Sequence, residues 1–222
     1  MVKTRVYIES TVLSDWLLVE MTARSKRKKL SEDVLDSHYF IEQLLEKPPS
    51  NVHAFMSYWS VFESVGTAKR GYIEISMILD GVLASFYHEV KDEEAYTMTP
   101  SLIDKMRKLV RKLLEGIKRQ KALELVSEAS DIDAVMSLML EKNLEAPDSF
   151  HVGIARSHGC DIFLTRDSHY RKVKALYKKE EIEVLTPTEL LDRLNPKKAQ
   201  ALGQGTGNAT ATVVVTSPTN SS

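Results

Sequence analysis

Along the chain, short apolar runs alternate with longer stretches in which apolar residues return every three or four positions. Val6 to Ile8 form a β-prone run, after which Val12, Leu13, Trp16, Leu17 and Val19 recur at helical spacing. Leu30 to Leu45 resumes a helical pattern through Val34, Leu35, Ile41, Leu44 and Leu45, and the prolines of KPPSN stop it. A second β-run, Val52 to Met56, leads into SYWSVFESVGTAKR, where Trp59, Phe62 and Val65 share one helical face. On these patterns both Trp16 and Trp59 read as core residues. Ile73 to Val90 reads as a further helix and KDEEAYTMTP as a polar break. The clearest stripe follows: Leu102, Ile103, Met106, Leu109, Val110, Leu113, Leu114 and Ile117.

The second half repeats the alternation. Ala122 to Val126 reads as a strand and Ile132 to Glu141 as a helix. APDSFHVGIARSHG reads as another helix, with Pro147 and Asp148 at its start and Gly159 just past its end. Ile162 to Leu164 is a buried strand ending in TRD. After it come a helix from Tyr170 to Tyr177, a strand from Ile182 to Leu185 and a helix from Thr188 to Leu194. Hairpin turns are missing and each strand-to-strand connection is long enough for a right-handed crossover, so the pattern predicts a central parallel β-sheet flanked by helices. One α/β domain is expected over residues 1–195 and a tail over 196–222. From Gly203 onward no residue is charged, and Gly, Thr, Ser and Asn dominate. Such a segment buries too little apolar surface to offset its ordering entropy, so disorder is expected there.

With 43% hydrophobic and 27% charged residues among 222, the chain has the composition of an ordinary globular domain with a sizeable core. Thirty basic residues against thirty-one acidic exclude a global positive field, so any nucleic-acid surface must be local. Cys160 stands alone, which excludes an intramolecular disulfide. The start MVKTRVYIES lacks the apolar core of a signal peptide, and no apolar run approaches the roughly 18 residues of a membrane span. A cytoplasmic protein without a membrane partner is expected.

Four acids carry the functional argument. In a doubly wound sheet, ligands bind outside the carboxyl ends of the strands, near the point where strand order reverses. Glu9 and Asp167 follow two such strands, and Glu63 and Asp148 fall on what read as the first turns of helices starting at the same edge. Converging carboxylates repel one another, and a divalent cation is the natural counter-charge. An all-oxygen set suits Mg²⁺ or Mn²⁺ over Zn²⁺. Taken singly, Glu63 reads as a solvated helix acid and Asp148 as a helix N-cap. Their order relative to the strands favours a shared site. His151, one turn after Asp148, reads as a hydrogen-bonded packing residue, and His158 with Cys160 lacks the second pair a zinc site needs. Cys160 reads as a small buried residue at a turn.

VYIESTVL, the glutamate of SVFES, APDSFHVGIA and DIFLTRDSHY, in that order, resemble the motifs of the PIN-domain ribonucleases, the group that includes VapC-type toxins. The resemblance runs from about Val6 to Leu194, with residues 71–99 standing out as a helical insertion. Family members usually have aspartate where this chain has Glu9, and asparagine where it has Thr11. The resemblance implies that Glu9, Glu63, Asp148 and Asp167 hold one or two Mg²⁺ or Mn²⁺ ions for hydrolysis of RNA. It also implies that Ser10 and Thr165 orient the carboxylates, that the chain forms a homodimer, and that an antitoxin protein is a candidate partner.

Two basic clusters, Arg24 to Lys29 and Arg166 to Lys179, read either as solvated faces or as phosphate contacts. The second begins at the proposed site, so Arg166, His169, Arg171 and Lys172 are its candidate RNA-binding residues. The leading expectation is a metal-dependent endoribonuclease. The alternative is a catalytically weak PIN-like scaffold that binds RNA or a partner protein. A nucleotide-binding domain lacks its Gly-rich loop between strand and helix.

Overall fold

The computed structural model describes residues 3–22, 27, 30–90, 97–127, 131–142, 144–172 and 182–194. Five strands form one sheet: β1 (Thr4–Ile8), β2 (Val52–Ser57), β3 (Leu123–Val126), β4 (Ile162–Leu164) and β5 (Glu183–Leu185). Every pairing is parallel and the spatial order is β3-β2-β1-β4-β5. The predicted α/β class with a parallel central sheet is the observed one. The chain winds outward from β1 through β2 to β3, then returns to place β4 on the other side of β1. Strand order therefore reverses between β1 and β4, which is where such a sheet opens a crevice at its carboxyl edge.

The two-residue period of the strands sorts side chains onto two cores. Val6, Ile8, Val52, Ala54, Met56, Ile162 and Leu164 point into one apolar cluster. That cluster is closed by α1 (Ser10–Met21), α2 (Glu32–Glu46) and α5 (Pro100–Arg119), whose stripe buries Met106, Leu109, Leu113 and Ile117. Tyr7, Phe55, Val126, Phe163 and Val184 point to the other face. There they meet Leu138 of α6 (Ile132–Lys142), Val152 and Ile154 of α7 (Ala146–Ser157) and Tyr170 of α8 (Ser168–Lys172). The last helix, α9 (Pro187–Leu194), is closed by a capping box: Thr186 Oγ1 accepts from the Glu189 N–H at 3.2 Å while the Thr186 N–H donates to Glu189 Oε2 at 2.8 Å.

Three sequence expectations need correction. The stretch from Ile73 to Val90 is not a separate helix: α3 runs unbroken from Tyr58 to Leu79, and a 3₁₀ turn (Ala84–Phe86) and a short α4 (Tyr87–Val90) follow. Nothing between Ser64 and Ser76 breaks a helix, since isolated glycines such as Gly66 and Gly71 weaken it by only about 1 kcal/mol each. The stop comes at Gly81, whose φ of +80° is left-handed backbone that side chains disfavour. Glu63 consequently sits in the second turn of α3. Trp59 and Phe62 are not core residues: they are 52% and 69% exposed, while Trp16 is fully buried. The buried face of α3 is its small-residue face, Ser60, Val61, Ser64 and Ala68, because small side chains let α3 lie close against α1.

Gly159, with φ +56°, ends α7 as the sequence suggested, and Cys160 beyond it is buried, its thiol pushed up to about 12 chiefly by burial. No helix among the described residues is long and apolar enough to cross a membrane. The expected tail from 196 on, most of Arg24 to Lys29 and the stretch from Val173 to Glu181 lie outside the described residues.

Candidate metal centre

Glu9 is the residue at which β1 leaves the sheet. Its N–H still pairs with the Leu164 carbonyl at 3.0 Å, and its backbone stays extended (φ −80°, ψ 162°) as the N-cap of α1. The side chain folds back to accept from the Thr11 N–H at 3.0 Å and from the hydroxyls of Ser10 and Thr11. From across the sheet, Thr165 donates its hydroxyl to Glu9 Oε2 at 2.9 Å. The same loop is knitted from the other side: the Arg166 N–H donates to Thr11 Oγ1 at 3.0 Å and the Asp167 N–H to Thr165 Oγ1 at 2.9 Å. Glu9 is only 3% exposed, and a carboxylate buried that far is tolerable because hydroxyl and amide donors surround it. Ser10 and Thr165 thus contact Glu9 as expected, and Thr11 joins them.

The second carboxylate arrives from α3. Glu63 Oε2 lies 2.8 Å from Nε2 of His151, a residue of α7 that is 1% exposed. The contact with His151 is the main cause holding the Glu63 carboxyl below its ordinary value, against the opposing effect of burial. On its other edge, His151 Nδ1 lies 2.8 Å from the hydroxyl of Tyr7. That hydroxyl donates to Ser57 Oγ at 3.0 Å and touches Ser60 Oγ at 3.1 Å. Burial raises the Tyr7 phenol well above its usual value, so it stays neutral. A chain of contacts therefore runs from β2 and α3 through Tyr7 and His151 to Glu63.

Glu9, Glu63 and His151 each offer a ligand atom, and the three atoms lie within 4.8 Å of one another. Around a cation with ligand distances of about 2.1 Å, neighbouring ligands stand about 3 Å apart and opposite ones about 4 Å. The three donors converge closely enough that this group can hold a metal ion. Among the described residues no other such group was found.

Asp148 and Asp167 stand beside this group in different roles. Asp148 Oδ1 accepts from the Tyr170 hydroxyl at 3.1 Å, and Oδ2 lies 3.5 Å from His169 Nδ1. Burial, reinforced by the charges of Asp167 and Glu9, raises its carboxyl above the ordinary value. That repulsion shows the acids share one edge. Asp148 is not the N-cap of α7; Glu145 holds that position, without a side-chain cap bond. Asp167 Oδ1 instead caps α8, accepting from the His169 N–H at 2.7 Å. Of the four predicted acids, two enter the tight group directly and two flank it.

Arg166, read from the sequence as a phosphate contact, turns inward. Its guanidinium pairs with Asp15 of α1, with one N–H donating to Oδ1 at 2.8 Å. Burial, only partly offset by Arg166 and Ser37, lifts the Asp15 carboxyl to about 6. His169 stays half-exposed at the start of α8, and the backbones of Arg171 and Lys172 close that helix.

An apolar groove of about 550 Å³ opens with Tyr58, Trp59 and Phe62 of α3 on one wall and Phe150 of α7 and Ile132 of α6 on the other. Beside two of the predicted acids the group includes His151, which reads from the sequence as a hydrogen-bonded packing residue. Its position three residues after Asp148 was the available signal, but i to i+3 spacing suits packing and ligation equally. Tyr7 left no signal, since a strand tyrosine reads as apolar. No family model matches the chain, and no curated protein does.

Proposed function

We propose that the chain is a metal-dependent endoribonuclease that hydrolyses RNA phosphodiester bonds, of the kind its resemblance to PIN-domain ribonucleases implies. The observation that carries this reading is the Glu9–Glu63–His151 group at the carboxyl edge, where the sheet reverses order between β1 and β4. Glu9 and Glu63 would hold a divalent cation, Mg²⁺ or Mn²⁺. Such a cation would supply the positive charge that polarises an attacking water and offsets charge on the phosphoryl oxygens.

The chain's own groups then divide the remaining work. Thr165, Thr11 and Ser10 keep the Glu9 carboxylate aimed, so little reorganisation is needed during reaction. Asp148 and Asp167 extend the negative edge, where they would hold ordered waters or a second cation. His169, Arg171 and Lys172, on the short helix that Asp167 caps, would supply contacts to the phosphate backbone. Arg166, committed to Asp15, positions the loop that carries Thr165 and Asp167.

A second reading, a scaffold that binds RNA or protein without cutting, draws on the exposed aromatic side chains of the groove. Incubating single-stranded RNA with the purified chain in Mg²⁺ or Mn²⁺, with and without excess EDTA, separates the two. The nuclease reading expects cleavage that stops with EDTA and is lost in Glu63→Gln. Undiminished cleavage in EDTA contradicts the metal mechanism, and RNA binding with no cleavage in either metal selects the scaffold.

A further inference from the structure

His151 is the buried group that the four-acid scheme does not use. Its two nitrogens face different neighbours: Nδ1 meets the Tyr7 hydroxyl at 2.8 Å and Nε2 meets Glu63 Oε2 at 2.8 Å. The Tyr7 hydroxyl has a single hydrogen, and it goes to Ser57 Oγ. With its hydrogen on Ser57, Tyr7 accepts from His151, which calls for the Nδ1–H tautomer; Ser60 Oγ lies 3.4 Å from the same nitrogen. In neutral imidazole the other nitrogen bears a lone pair. That lone pair points at a carboxylate oxygen, and two electron-rich atoms at 2.8 Å need a positive centre between or beside them. A second ring proton is one such centre. A metal ion shared with Glu63 and Glu9 is the other, and 2.8 Å is close to the separation of adjacent ligands on a small dication, about 3 Å.

The rest of the environment is built like the support of a ligating histidine. Such a residue typically fixes its free ring N–H on an oxygen of the surrounding protein, which sets the tautomer and the ring plane. Here that oxygen is the Tyr7 phenol, itself held by Ser57 and Ser60 and packed against Phe163 at a ring separation of 5.5 Å. The whole assembly is buried, so the ring has no solvent-facing alternative.

We infer that His151 is a metal ligand through Nε2, which makes the centre a two-carboxylate, one-imidazole site selective for a transition-metal dication such as Mn²⁺, Co²⁺ or Zn²⁺ over Mg²⁺. Imidazole nitrogen adds affinity for these ions and little for magnesium, which favours oxygen. The inference rests on the cation site proposed at Glu9 and Glu63, and it replaces the all-oxygen shell with a mixed one.

The test uses the full chain loaded with Mn²⁺ alone, with histidine labelled by ¹⁵N, and electron spin echo modulation as the readout. A directly coordinated ¹⁵N coupling is expected in wild type and absent in His151→Asn. Calorimetric titration should show His151→Asn weakening Mn²⁺ and Zn²⁺ binding by roughly tenfold or more while changing Mg²⁺ binding much less. Mn²⁺ binding that Glu9→Gln abolishes, but with no nitrogen coupling in wild type, overturns the inference and leaves the carboxylate site standing. Mn²⁺ binding that neither Glu9→Gln nor Glu63→Gln weakens overturns both. The wild-type spectrum decides the matter even where the variant fails to fold.

Discussion

Thr165 donates its hydroxyl to Oε2 of Glu9 across 2.9 Å, joining the residue after β4 to the residue after β1 at the point where the sheet changes direction. The two are 156 positions apart in sequence. The same oxygen of Thr165 accepts from the Asp167 N–H, so one hydroxyl sets both a buried acid and the start of α8.

Thr165→Val keeps the shape and removes the hydroxyl. It should destabilise the fold by about 1–3 kcal/mol, the range for leaving buried partners without their hydrogen bonds. Mn²⁺ affinity should fall in parallel, since Glu9 loses its cross-sheet restraint. Urea denaturation and calorimetric titration of the same preparation measure the two effects. Unchanged stability and unchanged affinity together would show that the contact orients nothing.

Asp148→Asn is expected to stabilise the metal-free protein and to lose cleavage. The raised carboxyl of Asp148 fixes the sign. A group whose folded value lies above its unfolded one contributes stability at acid pH, and that contribution disappears as pH rises through the folded value. Asparagine removes this loss and still accepts from Tyr170. At neutral pH in EDTA, the melting temperature should rise above that of wild type, which thermal unfolding of the two proteins checks. A fall of several degrees would mean that the carboxylate is not under strain in the folded protein.

Asp15, paired with Arg166, supplies a second pH dependence. Its carboxyl stands at about 6 against an ordinary 3.8, so its contribution to stability is full below pH 4 and is lost by pH 7. The difference amounts to about 2–3 kcal/mol, at 1.36 kcal/mol for each unit of pKa. The stability of wild type relative to Asp15→Asn should therefore fall between pH 4 and pH 7. Chemical denaturation of both proteins across that range is the check, and a gap that stays flat or widens in favour of wild type contradicts the account.

Tyr7→Phe tests the support of His151. Deleting the phenol oxygen takes one buried partner from each of Ser57, Ser60 and the His151 Nδ1, and about 1–3 kcal/mol of stability should go with it. Tyr7→Phe should also lower Zn²⁺ affinity more than Mg²⁺ affinity, measured by competition with a chromogenic chelator. Equal losses for both ions would mean that Tyr7 only packs.

The sheet was legible from the sequence because strands such as VYI at Val6 to Ile8 and IFL at Ile162 to Leu164 are short apolar runs between amphipathic helices. Alternation also placed Glu9 correctly, since an acid directly after a buried strand must leave the sheet or find donors, and Glu9 does both. Trp59 and Phe62 were misread because helical periodicity reports which residues share a face, not which face is covered. Val61 and Ser64 are buried instead, and Ser60 is buried against Tyr7 and His151. His151 could not be resolved from spacing, because its role depends on Tyr7 and Glu63, residues of other elements that only the fold brings within 2.8 Å. Arg166 reads as a surface cation until its partner Asp15, 151 positions away, is known.

The proposed chemistry depends on a divalent cation held between Glu9 and Glu63. Crystals of the full chain soaked in Mn²⁺ and measured near the manganese absorption edge test it most directly. The account predicts one strong anomalous peak about 2.1–2.3 Å from carboxylate oxygens of both Glu9 and Glu63, weakened or absent in Glu9→Gln crystals. A soaked crystal with no anomalous peak among Glu9, Glu63 and His151, or with manganese bound only elsewhere on the surface, would contradict it.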